Sequence, residues 1–325
     1  ARYASRVGFY LDPTPALRPA SAAVLLGLFL ALRPAGAGLA DPPPGYYDPV
    51  DASSAATLRA TLHPVLHGHT RFPYSASTTD TWDILELADQ DPGNSANILD
   101  VYRNASIEKF GGGAGPYNRE HTWPNSYGFP DDGPTNYPYT DTHALFLSNV
   151  DYNGARGNAP FGACDGSCIE WETAGGTLGL FPGTSNWSGG GVWETWIGRR
   201  GDVARAQFYL DVRYAGGTHP ITGAAEPDLI LTDDEGLIQA TGSNAAIAHH
   251  GLLAVLLQWH RDDPVDAKER ARNDVVAGYQ GNRNPFIDHP EWAPCLFSNA
   301  CGIPSYLFSD DFEFATLIRW SERAP

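Results

Sequence analysis

Methionine is absent from the 325 residues, lysine is limited to Lys109 and Lys268, and no apolar run is long enough to cross a bilayer. The shortage of basic side chains leaves a formal charge of −17, from 21 Lys and Arg against 38 Asp and Glu. A surface of that sign repels polyanions at long range, which excludes a protein that coats nucleic acid through general basicity. Any nucleic-acid reading therefore has to find a local, arginine-lined cleft. The lysine scarcity itself reads as compositional bias rather than mechanism. With no methionine even at position 1, the first residue is not expected to be a native initiation site. Global disorder is excluded, because 42% hydrophobic and 12% aromatic residues can fill a substantial core. The length suits one large domain or two ordinary ones.

The longest apolar run, AAVLLGLFLAL at residues 22–32, has the length of a signal-peptide core. Arg18 precedes it and the small residues of AGAGLA follow, so cleavage near Ala40 is expected; a short buried helix is the alternative. The segment ahead of the run and Arg33 directly after it are unusual for such a leader. Loss of residues 1–40 removes four arginines and one aspartate, for a mature charge of about −20. Export makes two disulfides the natural assignment for Cys164, Cys168, Cys295 and Cys301, with the connectivity open. The C-x3-C and C-x5-C spacings leave zinc as the alternative.

Periodicity predicts a helix over 53–67, with Leu58, Leu62, Val65 and Leu66 on one face, Pro64 weakening the last turn and Gly68 as the stop. TDTWDILELADQD predicts a second, capped by Thr79 or Asp80. Residues 89–100, DQDPGNSANILD, space their acids like a calcium loop. The glycine is misplaced and Asp closes the segment where Glu belongs, so an ordinary turn is expected. ANILDVY reads as a strand, and GGGAG as a flexible approach without the Lys-Ser/Thr of a phosphate loop. ALFLSNV, residues 144–150, reads as a buried strand, and DYNGARGN as a helix start with Asp151 at its N-cap. Residues 170–198 read as mostly loop. Helices are predicted at about 202–214, 245–260 and 265–279, the second apolar all round and the third capped by Asp266. This gives one α+β domain over 41–301, helix-rich in its second half, between a leader (1–40) and a tail (302–325).

GPYNREHTWPNSYGF, residues 115–129, sets Arg119, Glu120 and His121 in a row. Neighbours in a strand point to opposite faces, so joint use of Glu120 and His121 requires the strand to end or bulge there. Pro124 is consistent with an ending. Glu120 offers a hard oxygen ligand of the kind Mg2+ takes together with waters, and Asn153 in VDYNGARGN offers a second. His121 suits proton abstraction from water near neutral pH. The triplet alone reads rather as a polar turn, with Arg119 paired to Glu120 and His121 packed on Trp123.

NREHTWPNSYG, DTHALFLSNVDYNGARGN, GDVARAQFYLDVRY and LLQWHRDDPVDAKERARNDVVAGYQGNRNPFIDHPEW resemble, in order, the blocks of the bacterial endonuclease I family. The resemblance runs from about Tyr46 to Trp292. Members are exported, non-specific nucleases, so the resemblance implies a ββα-metal (His-Me finger) core within the α+β domain. It implies His121 as general base, Glu120 and Asn153 as metal ligands, and Mg2+ as the cation, with Ca2+ or Mn2+ as substitutes. Arg156 is the candidate phosphate contact. Implied products are 5′-phosphate and 3′-hydroxyl ends on DNA and RNA, cut by a secreted or periplasmic monomer with no membrane span. A member that binds nucleic acid without cutting it is the alternative.

The chain departs from the family in two places. SYGFPDDGPTNYPYT carries no arginine or lysine where periplasmic members place basic residues, so Arg156 or Arg119 would have to serve the phosphate. Ala144 follows DTH where asparagine is common. Arg199 and Arg200 are expected as an exposed basic pair contacting substrate, and Arg205 as a buried residue paired with Asp. His249, His250 and His260 are expected to pack or face solvent, and His143 either orients the site or packs beneath it. QGNRNPFIDHPE is expected to fix a loop by Asn and Asp hydrogen bonds.

Overall fold

In the computed structural model, which describes residues 42–174 and 184–302, helix α1 (Ala55–Leu66) starts where Ser54 closes a reciprocal cap. Its hydroxyl accepts from Thr57 N at 3.2 Å, and Thr57 Oγ1 accepts from Ser54 N at 3.1 Å. Leu58, Leu62 and Leu66, four residues apart, are its buried stripe. Asp80 caps α2 (Thr81–Ala88) in the same way. The expected leader and all but the first residue of the expected tail lie outside the described residues.

A three-stranded antiparallel sheet follows: β1 (Gln90–Asp91), β2 (Asn94–Leu99) and β3 (Ser106–Glu108). The calcium-like segment is its first hairpin, and its acids bind backbone. Asp91 accepts from Gly93 N at 2.8 Å, Asp89 from Leu147 N at 2.7 Å, and Asp100 from Asn149 N. Those last two amides belong to β5 (Leu145–Asn149), the antiparallel partner of β4 (Tyr117–His121). Buried carboxylates thus satisfy an edge that would otherwise lose its hydrogen bonds. Helix α3 (Val150–Arg156) leaves β5 without a connecting residue. The strand runs to Asn149, so Asn149 rather than Asp151 caps α3, its Oδ1 accepting from Asp151 N at 2.9 Å.

Among the described residues of 170–198 the chain is mostly loop, as expected, but three short strands run through it. These are β6 (Ile169–Trp171), β7 (Asn186–Gly189) and β8 (Val192–Glu194), one antiparallel sheet. Gly190 and Gly191, both at positive φ (59° and 87°), close a two-residue hairpin of the kind that needs glycine. The second sheet overlooked in the sequence is parallel, β9 (Asp228–Leu231) with β10 (Ile247–His250). It takes the start of the helix expected at 245–260, so α5 spans only Leu253–Asp262. Nor is α5 apolar all round; it buries one face through Leu256, Leu257, Trp259 and His260. Asp266 caps α6 (Ala267–Gln280) as expected, and short helices α7 (Pro285–Asp288) and α8 (Trp292–Ser298) follow.

Helix α4 (Arg200–Arg213) is buried along its whole length and packs on α5, β9 and α1. Charges in such a helix need partners. Arg205 is held bidentately by Glu269 at 2.6 Å, and Arg213 by Glu226 at 3.0 and 2.8 Å. Gly201 permits the approach of the next layer: a Cβ there would lie 2.0 Å from the Asp263 carbonyl oxygen. The cysteines pair locally, Cys164 with Cys168 and Cys295 with Cys301, so they do not gather as a zinc site. In the loop QGNRNPFIDHPE, Asn284 caps α7 through a backbone amide as expected, whereas Asp288 binds side chains, holding Arg283 together with Asp274.

Several histidines are interior. Desolvation pushes His69, His143 and His260 down to about 3, 4 and 3 respectively. Unfolding returns them to ordinary values near 6.5, so below that pH the unfolded chain binds more protons. Stability is then full above about pH 6.5 and falls as pH drops toward about 4, by roughly 1.4 kcal/mol per pH unit for each such histidine. Urea midpoints at pH 7.5 and 5.0 should differ clearly. Equal midpoints would contradict the neutral interior histidines.

Candidate active site

Alternation sorts the side chains of β4 onto two faces. Asn118 and Glu120 face α3. Asn153 Nδ2 donates to Asn118 Oδ1 at 2.7 Å, and one turn later Arg156 Nη1 lies 3.1 Å from Glu120 Oε1. Arg119 and His121 face the other way, onto Tyr74. The Arg119 guanidinium sits 3.3 Å from the Tyr74 ring centroid, and the His121 ring stacks on Tyr74 at 5.8 Å. Strand β4 stops at His121, as joint use of the pair requires. Its register is unbroken to that residue, with His121 opposite Leu145, so Glu120 and His121 border the strand end from opposite faces.

Glu120 is only 2% exposed. The Tyr102 hydroxyl donates to its Oε1 at 2.7 Å. Burial raises its pKa, opposed by the Arg156 charge and the Tyr102 hydrogen bond. Among the described residues neither Glu120 Oε2 nor Asn153 Oδ1 has a hydrogen-bond partner. Asn153 spends its amide nitrogen on Asn118, which fixes which end of the amide is open. Two hard oxygens on one face, one anionic, fit a Mg2+- or Ca2+-type cation that keeps several waters. No group of three or more His, Cys, Asp and Glu gathers among the described residues, so a closed transition-metal cage is not the chemistry of this face.

His121 Nε2 lies 2.9 Å from the Tyr139 carbonyl oxygen. A carbonyl only accepts, so Nε2 carries the proton and Nδ1 keeps the lone pair. Desolvation lowers this imidazole to about 4, with the Tyr139 carbonyl opposing and the Arg119 and Arg156 charges adding. It is therefore neutral, and able to accept a proton, at neutral pH.

The arginines differ from expectation. Arg156 is 2% exposed and faces inward: it donates to the carbonyls of His121 at 3.0 Å and Thr122 at 2.7 Å and lies over Phe161. Arg119 donates to the Tyr74 carbonyl and to Thr81 Oγ1 and Ser75 Oγ. Arg199 and Arg200 are not an exposed pair. Arg199 is buried 3.6 Å from both Asp202 and Asp266, and Arg200 is buried against Glu194. Arginine in this acidic chain is largely consumed by interior carboxylates, which is why the expected basic wall does not form there. Arg205 is interior and paired with an aspartate, Asp202 at 3.9 Å, as expected, while Glu269 is its bidentate partner. His143 is interior, bonded to the Asn282 carbonyl and packed on Tyr209, and His250 and His260 are interior.

Three contributors were missed from the sequence: Tyr102, Tyr139 and Asn118. Asn118 was within reach, because it lies two residues before Glu120 and so shares its face. Tyr102 is brought in by the fold, and Tyr139 acts through its backbone, which no side-chain pattern reports.

The model of the family described as Endonuclease I matches residues 54–291, a span that contains this whole site. The chain is 40% identical over 251 residues to the extracellular ribonuclease of Bacillus subtilis (strain 168), covering 76% of each chain. The same identity and coverage hold for the extracellular ribonuclease of Bacillus amyloliquefaciens.

Proposed function

The chain belongs to the endonuclease I family, and from that premise we propose that it is a secreted, sequence-tolerant nuclease that hydrolyses RNA and DNA with one Mg2+. The observation that carries this reading is the arrangement at the end of β4: two open oxygens, from Glu120 and Asn153, on one face and a neutral imidazole with its Nδ1 lone pair on the other.

A bound Mg2+ supplies charge stabilisation for the pentavalent phosphorus and for the departing 3′-oxygen. Glu120 Oε2 and Asn153 Oδ1 would hold it. Tyr102 and Arg156 keep Glu120 in position, and Asn118 orients the Asn153 amide. His121 Nδ1 takes a proton from the water that attacks phosphorus in line. The bond to the 3′-oxygen breaks and that oxygen takes a proton from solvent water, leaving 5′-phosphate and 3′-hydroxyl ends. Because water is the nucleophile, the 2′-hydroxyl is not required, so the chemistry extends from RNA to DNA. The names of the relatives support action on RNA outside the cell, and the expected signal segment supports export. The basic-poor surface suits a protein with little affinity for nucleic acid beyond its site.

Digestion of plasmid DNA and of a long RNA tests this directly. Both should be cut, EDTA should stop both reactions, and excess Mg2+ should restore them. Activity unchanged in EDTA would remove the cation from the mechanism. RNA cleavage alone, ending in 2′,3′-cyclic phosphate, would replace the His121-activated water by the 2′-hydroxyl. Tight binding without cutting would establish the inactive alternative.

A further inference from the structure

Helix α1 carries His63, and His67 caps its C-terminus four residues on, with ring centroids 4.7 Å from each other and planes inclined by 33°. Both rings are partly exposed. Each has one nitrogen committed to an acceptor. His63 Nδ1 lies 2.8 Å from the Val212 carbonyl oxygen at the end of α4. His67 Nε2 lies 2.9 Å from Glu226 Oε2, on a carboxylate that Arg213 grips with two nitrogens. Neither acceptor can donate, so the protons sit on those nitrogens. The lone pairs are left on His63 Nε2 and His67 Nδ1, which have no hydrogen-bond partner among the described residues.

We propose that His63 Nε2 and His67 Nδ1 form a two-imidazole site for a divalent transition-metal cation of the Zn2+, Ni2+ or Cu2+ class, completed by water. Imidazole selects these ions over Mg2+ and Ca2+. Histidine ligands are commonly oriented by a carbonyl or carboxylate on the second nitrogen, which is the arrangement on both rings here. Desolvation lowers His63 further, which favours the neutral, ligating form. His219, 6.0 Å from His67, is a wall and not a third ligand. Its Nδ1 already accepts from Ile221 N and Thr222 N at 3.4 Å, which places its proton on Nε2. The cation would sit at the C-terminal end of α1, with both protein ligands from that one segment and the ring orientations held by Val212 and Glu226.

The test uses the full chain stripped of metal by a chelator. Titration with ZnCl2 should show an equivalent that binds at least tenfold more weakly in His63→Asn and in His67→Gln. Both replacements keep a donor, for the Val212 carbonyl and for Glu226, so the fold should persist, which circular dichroism checks. Glu120→Gln should retain this equivalent, which separates it from any cation held at the end of β4. Zn2+ near 100-fold above its dissociation constant should raise the melting temperature of wild type by several degrees, and that increment should be lost in the His63→Asn, His67→Gln double variant. Wild type and the His63→Asn, His67→Gln double variant giving the same Zn2+ isotherm would overturn the proposal, as would the absence of any Zn2+ binding.

Discussion

His121→Ala is expected to lower cleavage of RNA and DNA by at least about two orders of magnitude, the usual cost of removing a general base. The expectation rests on the tautomer. The Tyr139 carbonyl fixes the proton on Nε2, and desolvation by the groups packed on the ring lowers it to about 4, so Nδ1 is a ready acceptor at neutral pH. Folding should survive, because His121 is a partly exposed ring at a strand end between Tyr74 and Tyr139. His121→Gln makes the test sharper. A glutamine amide can still donate to the Tyr139 carbonyl but cannot take a proton from water. Both variants should therefore lose kcat while their melting temperatures stay near wild type. If His121→Gln retained near-wild-type kcat, His121 would be an anchor and the base would have to be sought elsewhere.

The candidate trio Glu120, His121 and Asn153 was legible through the family blocks and not through its own chemistry: the triplet read alone is a polar turn, and Pro124 is only consistent with a strand that ends there. The helices α1, α2 and α6 were legible through their caps and apolar spacing. Illegible parts depended on partners far along the chain. Arg199 and Arg200 look like a surface pair until Asp202, Asp266 and Glu194 close on them. The strand at 247–250 carries the apolar residues of a helix start, and only its parallel partner at 228–231 makes it a strand. The Gly190–Gly191 hairpin, by contrast, was a local signal lost among neighbouring glycines.

Arg156 is where the positional expectation and the geometry diverge, and its replacement should have the largest effect on stability. A phosphate-binding arginine keeps its guanidinium toward solvent, whereas this one is enclosed and joins Glu120, the His121 carbonyl and the Thr122 carbonyl. Arg156→Met retains much of the volume but strands the Glu120 carboxylate in the interior and leaves two strand-end carbonyls without donors. Breaking a buried pair in this way costs about 3–5 kcal/mol. In a domain of this size that corresponds to a fall in melting temperature on the order of 10 °C. Arg156→Lys should recover only part of it, since an ammonium lacks the planar fork that spans three acceptors. Glu120→Gln supplies the decisive comparison. With the carboxylate gone, Arg156→Met removes less, so the two changes together should cost clearly less than their separate costs combined. A phosphate contact predicts the opposite: unchanged melting, a weaker KM or kcat, and strict additivity with Glu120→Gln in stability. Thermal unfolding of the four proteins in this cycle distinguishes a residue that grips substrate from one that holds the ligand carboxylate in place.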